Sequence, residues 1–273
     1  MSADSATRMP DLPNDWDDTR SSLQAYAQAM TALPRAATEH HRWSHVALDP
    51  VSTDPSGEGL GFRTMPVPTQ SGAEFASTLD VASHRIIVSA GTDQHVFDLT
   101  AGPAAHDVGA TIAGIARDVG IDAVVDGDRY ADRSVRRYNP DAATAWLGNS
   151  TWVCRVLADV TAGLVGETTG PHLWPHGFDI ATEWYSATIR DADGGDAQIA
   201  AGFYPAGNPY FYVNPWPFDA DWADVVPPHG ATWHTEGWYG VELPVDRLDG
   251  TDDASVVQDL VRFVHELTRP AFG

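Results

Sequence analysis

Lysine is absent from this chain: every one of its 16 basic side chains is an arginine. Chemistry built on a lysine amine, such as a Schiff base or a pyridoxal-phosphate linkage, is therefore excluded. Cysteine is nearly absent. Cys154 stands alone in an apolar run, so no intrachain disulfide can form and the residue reads as a small buried hydrophobe. There is no Gly-x-Ser-x-Gly elbow, no Cys-x-x-Cys pair and no His-Glu-x-x-His helix signature. Gly57-Glu58-Gly59-Leu60-Gly61 lacks the Lys-Ser/Thr that completes a phosphate loop. No apolar run approaches the ~20 residues of a membrane helix. The opening residues are polar and acidic and carry no signal-like apolar stretch. These absences point to a cytoplasmic protein.

What is present is acid. Against the 16 arginines stand 38 carboxylates, 30 of them Asp and only eight Glu, for a net charge of −22. Such a field repels phosphate backbones and anionic bilayers, so neither nucleic acid nor a membrane is expected as a partner. Two origins fit the acidity. A cell with high internal salt would screen the self-repulsion, and a GC-rich genome would drift from Lys to Arg and towards Asp. Only the first predicts a marked loss of stability in dilute buffer. The 273 residues suit one large domain or two closely packed halves, and 43% hydrophobic residues supply a full core. Ten Trp, eight Tyr and nine Phe are core or pocket walls.

Residues 1–14 read as a disordered leader. A helix is expected over 16–33, with Trp16, Leu23, Ala27 and Met30 on one face and Pro34 as its stop. Residues 41–49 read as a strand and 51–59 as a Gly/Ser/Pro loop. Strands follow at 60–66, 73–80, 84–90 and 94–99, the last two joined by a turn at Ala90-Gly91-Thr92-Asp93. A helix over 104–119 ends at Gly120. The order then repeats. Asn139 caps a helix that has Pro140 first and runs to about Val165. Strands are expected at 178–184, 197–205, 210–216 and 236–244, then a helix over 255–267 with Pro270 beyond it. The pattern His-x-Trp-x-His opens the sheet in both halves, as His41-Trp43-His45 and His172-Trp174-His176. The expected fold is α+β: a duplicated helix–antiparallel sheet–helix unit, with repeats at 15–130 and 136–273 packed as one body.

Side chains four apart on a strand lie about 13 Å apart, too far to share a metal through ~2 Å bonds. A metal would need one histidine from each half, such as His41 with His172, plus Asp179 or Glu183; no cofactor is called for. Asp179 sits between Phe178 and Ile180, and a buried carboxylate must be paired or protonated. Paired with His172 it suits proton transfer, while a turn cap or an arginine partner would make it structural. The candidate catalytic set is His172, Asp179 and His41. Trp43, Trp174, Phe203, Tyr204 and Tyr212 are candidate walls for a small-molecule ligand in an aromatic cleft between the halves. The stretch Gly202–Pro217 is the most aromatic, turning at Pro205–Pro209, and Trp233-His234-Thr235-Glu236-Gly237-Trp238 adds a second such group. The competing reading is a non-catalytic interaction or structural protein whose His and Trp are core.

Several of these segments resemble domain-of-unknown-function family 5996, over roughly residues 15–247. His40-His41-Arg42-Trp43 is similar to that family's Asn-His-Trp-Trp, and Gly61-Phe-Arg-Thr-Met-Pro-Val-Pro68 to its Gly-Leu-Thr-Thr-x-Pro-Ile-Pro. Ser83-His84-Arg85 resembles its Asp-His-Arg/Lys. Pro171-His172 and Phe178-Asp179-Ile180-Ala181 resemble the ends of its Pro-Val-His-Phe-Phe-Trp-Gly-Ser-Phe-Asp-Leu-Ala. Gly202-Phe203-Tyr204-Pro205 looks like its Gly-Phe-Trp-Pro, and Phe211-Tyr212 like its Phe-Tyr-x-Tyr, with Asn214 at the last position. The family's Ser-His-Glu falls on Gly195-Asp196-Ala197, and an Arg falls on Glu183 or Trp184. His45 and His176 are not family positions, whereas His41, His172 and Asp179 match. The resemblance implies no activity, substrate or cofactor.

Overall fold

The computed structural model describes residues 7–40, 42–52, 60–190 and 194–272. The class is α+β, with four helices and antiparallel strands among those residues. They form two compact units: Asp11–Gly148 with His172–Phe178, and Asn149–Pro171 and Asp179–Gly273 with Met1–Pro10. The heptapeptide His172–Phe178 thus counts with the N-terminal residues, although its sequence position lies within the expected second repeat.

In the N-terminal unit, helix α1 (Asp17–Ala37) buries Leu23, Tyr26, Ala27, Met30 and Leu33, an i, i+3, i+4 stripe. Pro34 does not stop it. A proline in the last turn forfeits only its own N–H, and its carbonyl still accepts from Thr38 N at 2.9 Å. The strand expected over 41–49 is met only at its last two residues, Leu48 and Asp49. Trp43 has a left-handed backbone (φ 60°), a 3-10 turn follows at Ser44–Val46, and β1 is Leu48–Ser52. His41 and most of the expected loop lie outside the described residues.

Next come β2 (Leu60–Thr64), β3 (Val67–Pro68), β4 (Glu74–Asp80), β5 (Arg85–Ala90), β6 (Asp93–Asp98) and helix α2 (Ala105–Asp118). The turn signal holds, since Ala90 faces Asp93 in the β5–β6 pair. A later three-residue strand joins this sheet through Leu48 opposite Leu173, giving neighbours 172–174, β1, β2, β4, β5, β6. Trp146 sits deep in this unit, with its ring centroid 5.0 Å from Phe178, 5.4 Å from Phe62 and 6.3 Å from Trp16.

The unit boundary falls within helix α3 (Pro140–Thr161). Asn139 Oδ1 accepts the Asp141 N–H at 2.9 Å, the cap the sequence predicts. Then follow β7 (Glu167–Thr168), β8 (His172–Trp174), β9 (Asp179–Arg190), β10 (Asp196–Tyr204), β11 (Tyr210–Trp216), β12 (Thr232–His234), β13 (Gly240–Pro244) and α4 (Asp253–Phe272). Phe178 is not part of β9 but has a left-handed backbone (φ 59°) that ends the preceding turn. In the C-terminal unit the sheet order is β9-β10-β11-β13-β12, with β7 also on β9. Helix α4 buries Val257, Leu260, Val261 and Val264. It continues through Pro270 rather than ending before it. The Phe272 ring packs 6.4 Å from Trp184 and 5.7 Å from Trp222, and Ser186 Oγ donates to its carbonyl at 2.5 Å. The expected leader is tied down at Met9, which is buried and donates its N–H to Asp253 at 2.9 Å; its first six residues lie outside the described ones.

Candidate functional site

The strands of the C-terminal unit alternate cleanly. Ala197, Ile199, Ala201 and Phe203 on β10, Phe211 and Val213 on β11, and Val241 and Leu243 on β13 are buried and form one face. Helix α4 and Trp152, whose ring lies 6.2 Å from Phe211, belong to that side. The opposite face carries Tyr204, Tyr210, Tyr212 and Glu242, all half-buried. Cross-strand partners in an antiparallel sheet share a face, so the register Ala181–Gly202–Tyr212–Glu242 defines one row across β9, β10, β11 and β13.

Tyr212 uses that row to reach two strands away. Its hydroxyl donates to Asp179 Oδ2 at 2.5 Å, so the ring must cross β10. It can do so because position 202 is glycine: a Cβ there would lie 2.5 Å from Tyr212 Cζ and Oη and 2.8 Å from the Ile180 carbonyl oxygen. Burial, and then the Asp179 carboxylate, push the Tyr212 hydroxyl well above its ordinary pKa, so it stays a donor. Further along β9, Glu183 is buried and accepts from Thr169 Oγ1 at 2.6 Å, while its own N–H donates to the same oxygen at 2.9 Å.

Around Tyr212 the rings cluster. Tyr204 lies 5.3 Å from Tyr210, and Tyr210 lies 6.2 Å from Trp238, which comes from the β12–β13 loop. His234 stacks on Trp238 at 4.4 Å, and its Nδ1–H donates to the Trp238 carbonyl at 3.0 Å. Burial first, then the carboxylate of Glu242, raise Tyr210 to about 12.

The other expected residues stand elsewhere. The carboxylate hydrogen-bonded to His172 is Asp49, with Nδ1 to Oδ1 at 2.7 Å, not Asp179 as the sequence suggests. Local sequence could not reveal this, because β1 and β8 meet only through Leu48 and Leu173. Trp174 lies edge-on to His172 at 6.2 Å and to His176 at 6.1 Å. Trp43 is 60% exposed and borders an open pocket of about 510 Å³ with Arg35, Glu39, His40 and His45. His45 is buried, which holds its pKa below the usual imidazole value, with Arg35 and His40 adding to the effect. Phe203, expected as a ligand wall, is not on the open face. It is fully buried, 4.9 Å from Phe211, because it is one residue out of phase with Gly202 and Tyr204. The sequence missed Glu242, although its alternation with Val241 and Leu243 marks it as facing away from the core. Among the described residues no three His, Cys, Asp or Glu side chains gather closely enough to hold a metal. None of the described helices is long and apolar enough to cross a membrane.

Fold and surface together define an α+β protein with a half-open aromatic face on its C-terminal sheet. The chain belongs to a family of unknown function, DUF5996, whose model matches residues 9–268. No curated protein and no solved structure matches it.

Proposed function

We propose that the protein binds a small organic molecule on the aromatic face of the C-terminal sheet, with Tyr204, Tyr210, Tyr212 and Trp238 as the contact surface. One observation carries the reading: strict alternation spends Phe203, Phe211, Val213 and Leu243 on the core and leaves a second set of rings half exposed. Aromatic rings supply large contact area at small entropic cost, and an open cluster of them is a common ligand surface. The Tyr212–Asp179 bond holds the central ring in place, which favours binding by pre-organisation. Ligand-observed NMR with phenol, indole and quinoline tests this. Binding should vanish in Trp238→Ala and persist in Val124→Ala, a change at a 94% exposed position in the N-terminal unit. Equal binding by both variants, or none by the native chain, ends the reading.

A second reading gives His172 an acid–base role, favoured by the Asp49 contact at 2.7 Å, which orients the imidazole. An activity that survives His172→Gln unchanged would exclude it. We also read the two helix–strands–helix stretches, 17–118 and 140–272, as copies of one plan, supported by their shared element order. An overlay of their Cα traces that agrees over no more than one helix would defeat that idea.

A further inference from the structure

The chemistry around the rings narrows the ligand class, and this step rests on the aromatic-face reading above. Tyr210 and Trp238 are nearly parallel, 8° apart with centroids at 6.2 Å. Tyr212 stands across both, at 63° and 70°, with centroids 6.4 Å and 6.2 Å away. A guest sandwiched between two rings needs roughly 7 Å, twice a ~3.5 Å contact. Nothing therefore enters between Tyr210 and Trp238, and a ligand must lie on the open side of the three rings. What it meets there is negative. The π faces carry the negative end of the ring quadrupole. Glu242 stands opposite Tyr212 in the β11–β13 register, half exposed, and its carboxylate makes no hydrogen bond or ion pair among the described residues. Strands β10, β11, β12 and β13 contain no arginine that could neutralise it. The net charge of −22 adds a long-range pull on cations.

We infer that the ligand is an organic cation, an ammonium or methylated ammonium, seated against Tyr210 and Tyr212 beside Trp238, whose face His234 covers, and neutralised by Glu242. A neutral flat molecule would stack on the same rings but gain nothing from the carboxylate beside them. A cation uses both, through cation–π attraction and through charge.

The test uses the full chain and two probes of nearly equal shape, choline and its uncharged isostere 3,3-dimethylbutan-1-ol, titrated with tryptophan fluorescence as the readout. Choline should saturate and bind about tenfold or more tightly than the alcohol. Glu242→Gln, which keeps the side-chain shape at a half-exposed position, should weaken choline about tenfold and leave the alcohol unchanged. Equal binding of both probes, or indifference of choline to Glu242→Gln, overturns the cation assignment while leaving the aromatic face as a binding surface. Failure of choline to saturate while phenol or indole still binds through Trp238 overturns it in the same way. If no probe of either experiment binds, the aromatic-face reading fails and the cation assignment fails with it.

Discussion

Replacing Gly202 by alanine adds a single methyl group, and the structure says where the atom lands. The new Cβ would sit 2.5 Å from the Tyr212 ring carbon and hydroxyl, and 2.8 Å from the Ile180 carbonyl oxygen. Carbon contacts below about 3.5 Å are repulsive, so either the strand pair or the ring must move. The ring is the softer of the two, and displacing it pulls its hydroxyl away from Asp179. Forcing one extra carbon into a packed position costs about 1–3 kcal/mol. Losing a hydrogen bond to a charged acceptor costs about 1.5–3 kcal/mol. Gly202→Ala should therefore lower stability by about 2.5–6 kcal/mol in urea unfolding followed by tryptophan fluorescence. Tyr212→Phe should lose only the hydrogen-bond share. In a Tyr212→Ala background the methyl has no ring to strike, and only the Ile180 carbonyl resists it, so the cost of Gly202→Ala should fall by at least about 1 kcal/mol. The reasoning is refuted if Gly202→Ala costs less than about 0.5 kcal/mol, the range of an ordinary surface change. Equal costs in the two backgrounds would refute it as well.

Three further expectations follow from the packing and charge. Trp146→Ala should cost about 3–5 kcal/mol in the same assay, because its ring fills the space among Phe62, Trp16 and Phe178; a cost under about 1 kcal/mol would mean that the N-terminal core is built around something else. Burial pushes the Cys154 thiol from its ordinary 9.0 up to about 12. The folded thiol keeps a proton that the unfolded thiol releases, so this contribution to stability is constant below pH 9 and falls as pH rises towards 12. The decline should be shallower in Cys154→Ala, and an unchanged slope would contradict it. Finally, if the charge of −22 is an adaptation to high salt, the urea midpoint should rise steeply between dilute buffer and molar KCl. A flat response would assign the acidity to genome composition instead.

What the sequence discloses and what it hides divide along a physical line. Helix α4 is legible because Val257, Leu260, Val261 and Val264 repeat within one stripe, and the β5–β6 hairpin because Ala90–Asp93 is a turn on local chemistry alone. Pro34 and Pro270 mislead because a proline near a helix end costs one donor that the last turn can spare, and buried side chains such as Phe272 hold that turn. The segment from Trp43 to Val46 misleads because a left-handed residue and a 3-10 turn leave no period to read. The site is hidden for a different reason. Composition groups Phe203 with Tyr204 and Tyr212, but parity separates them, and parity carries from strand to strand only once the register is known. Asp179 and Tyr212 are 33 residues apart and separated by a whole strand, so neither residue announces the other. Yet the segments that mark the family likeness include Gly202, Tyr212 and Asp179, the three residues that this one hydrogen bond requires: a gap to pass over, a ring long enough to cross it, and a carboxylate at the far side. A chain that keeps only two of these three residues should not be able to form that bond.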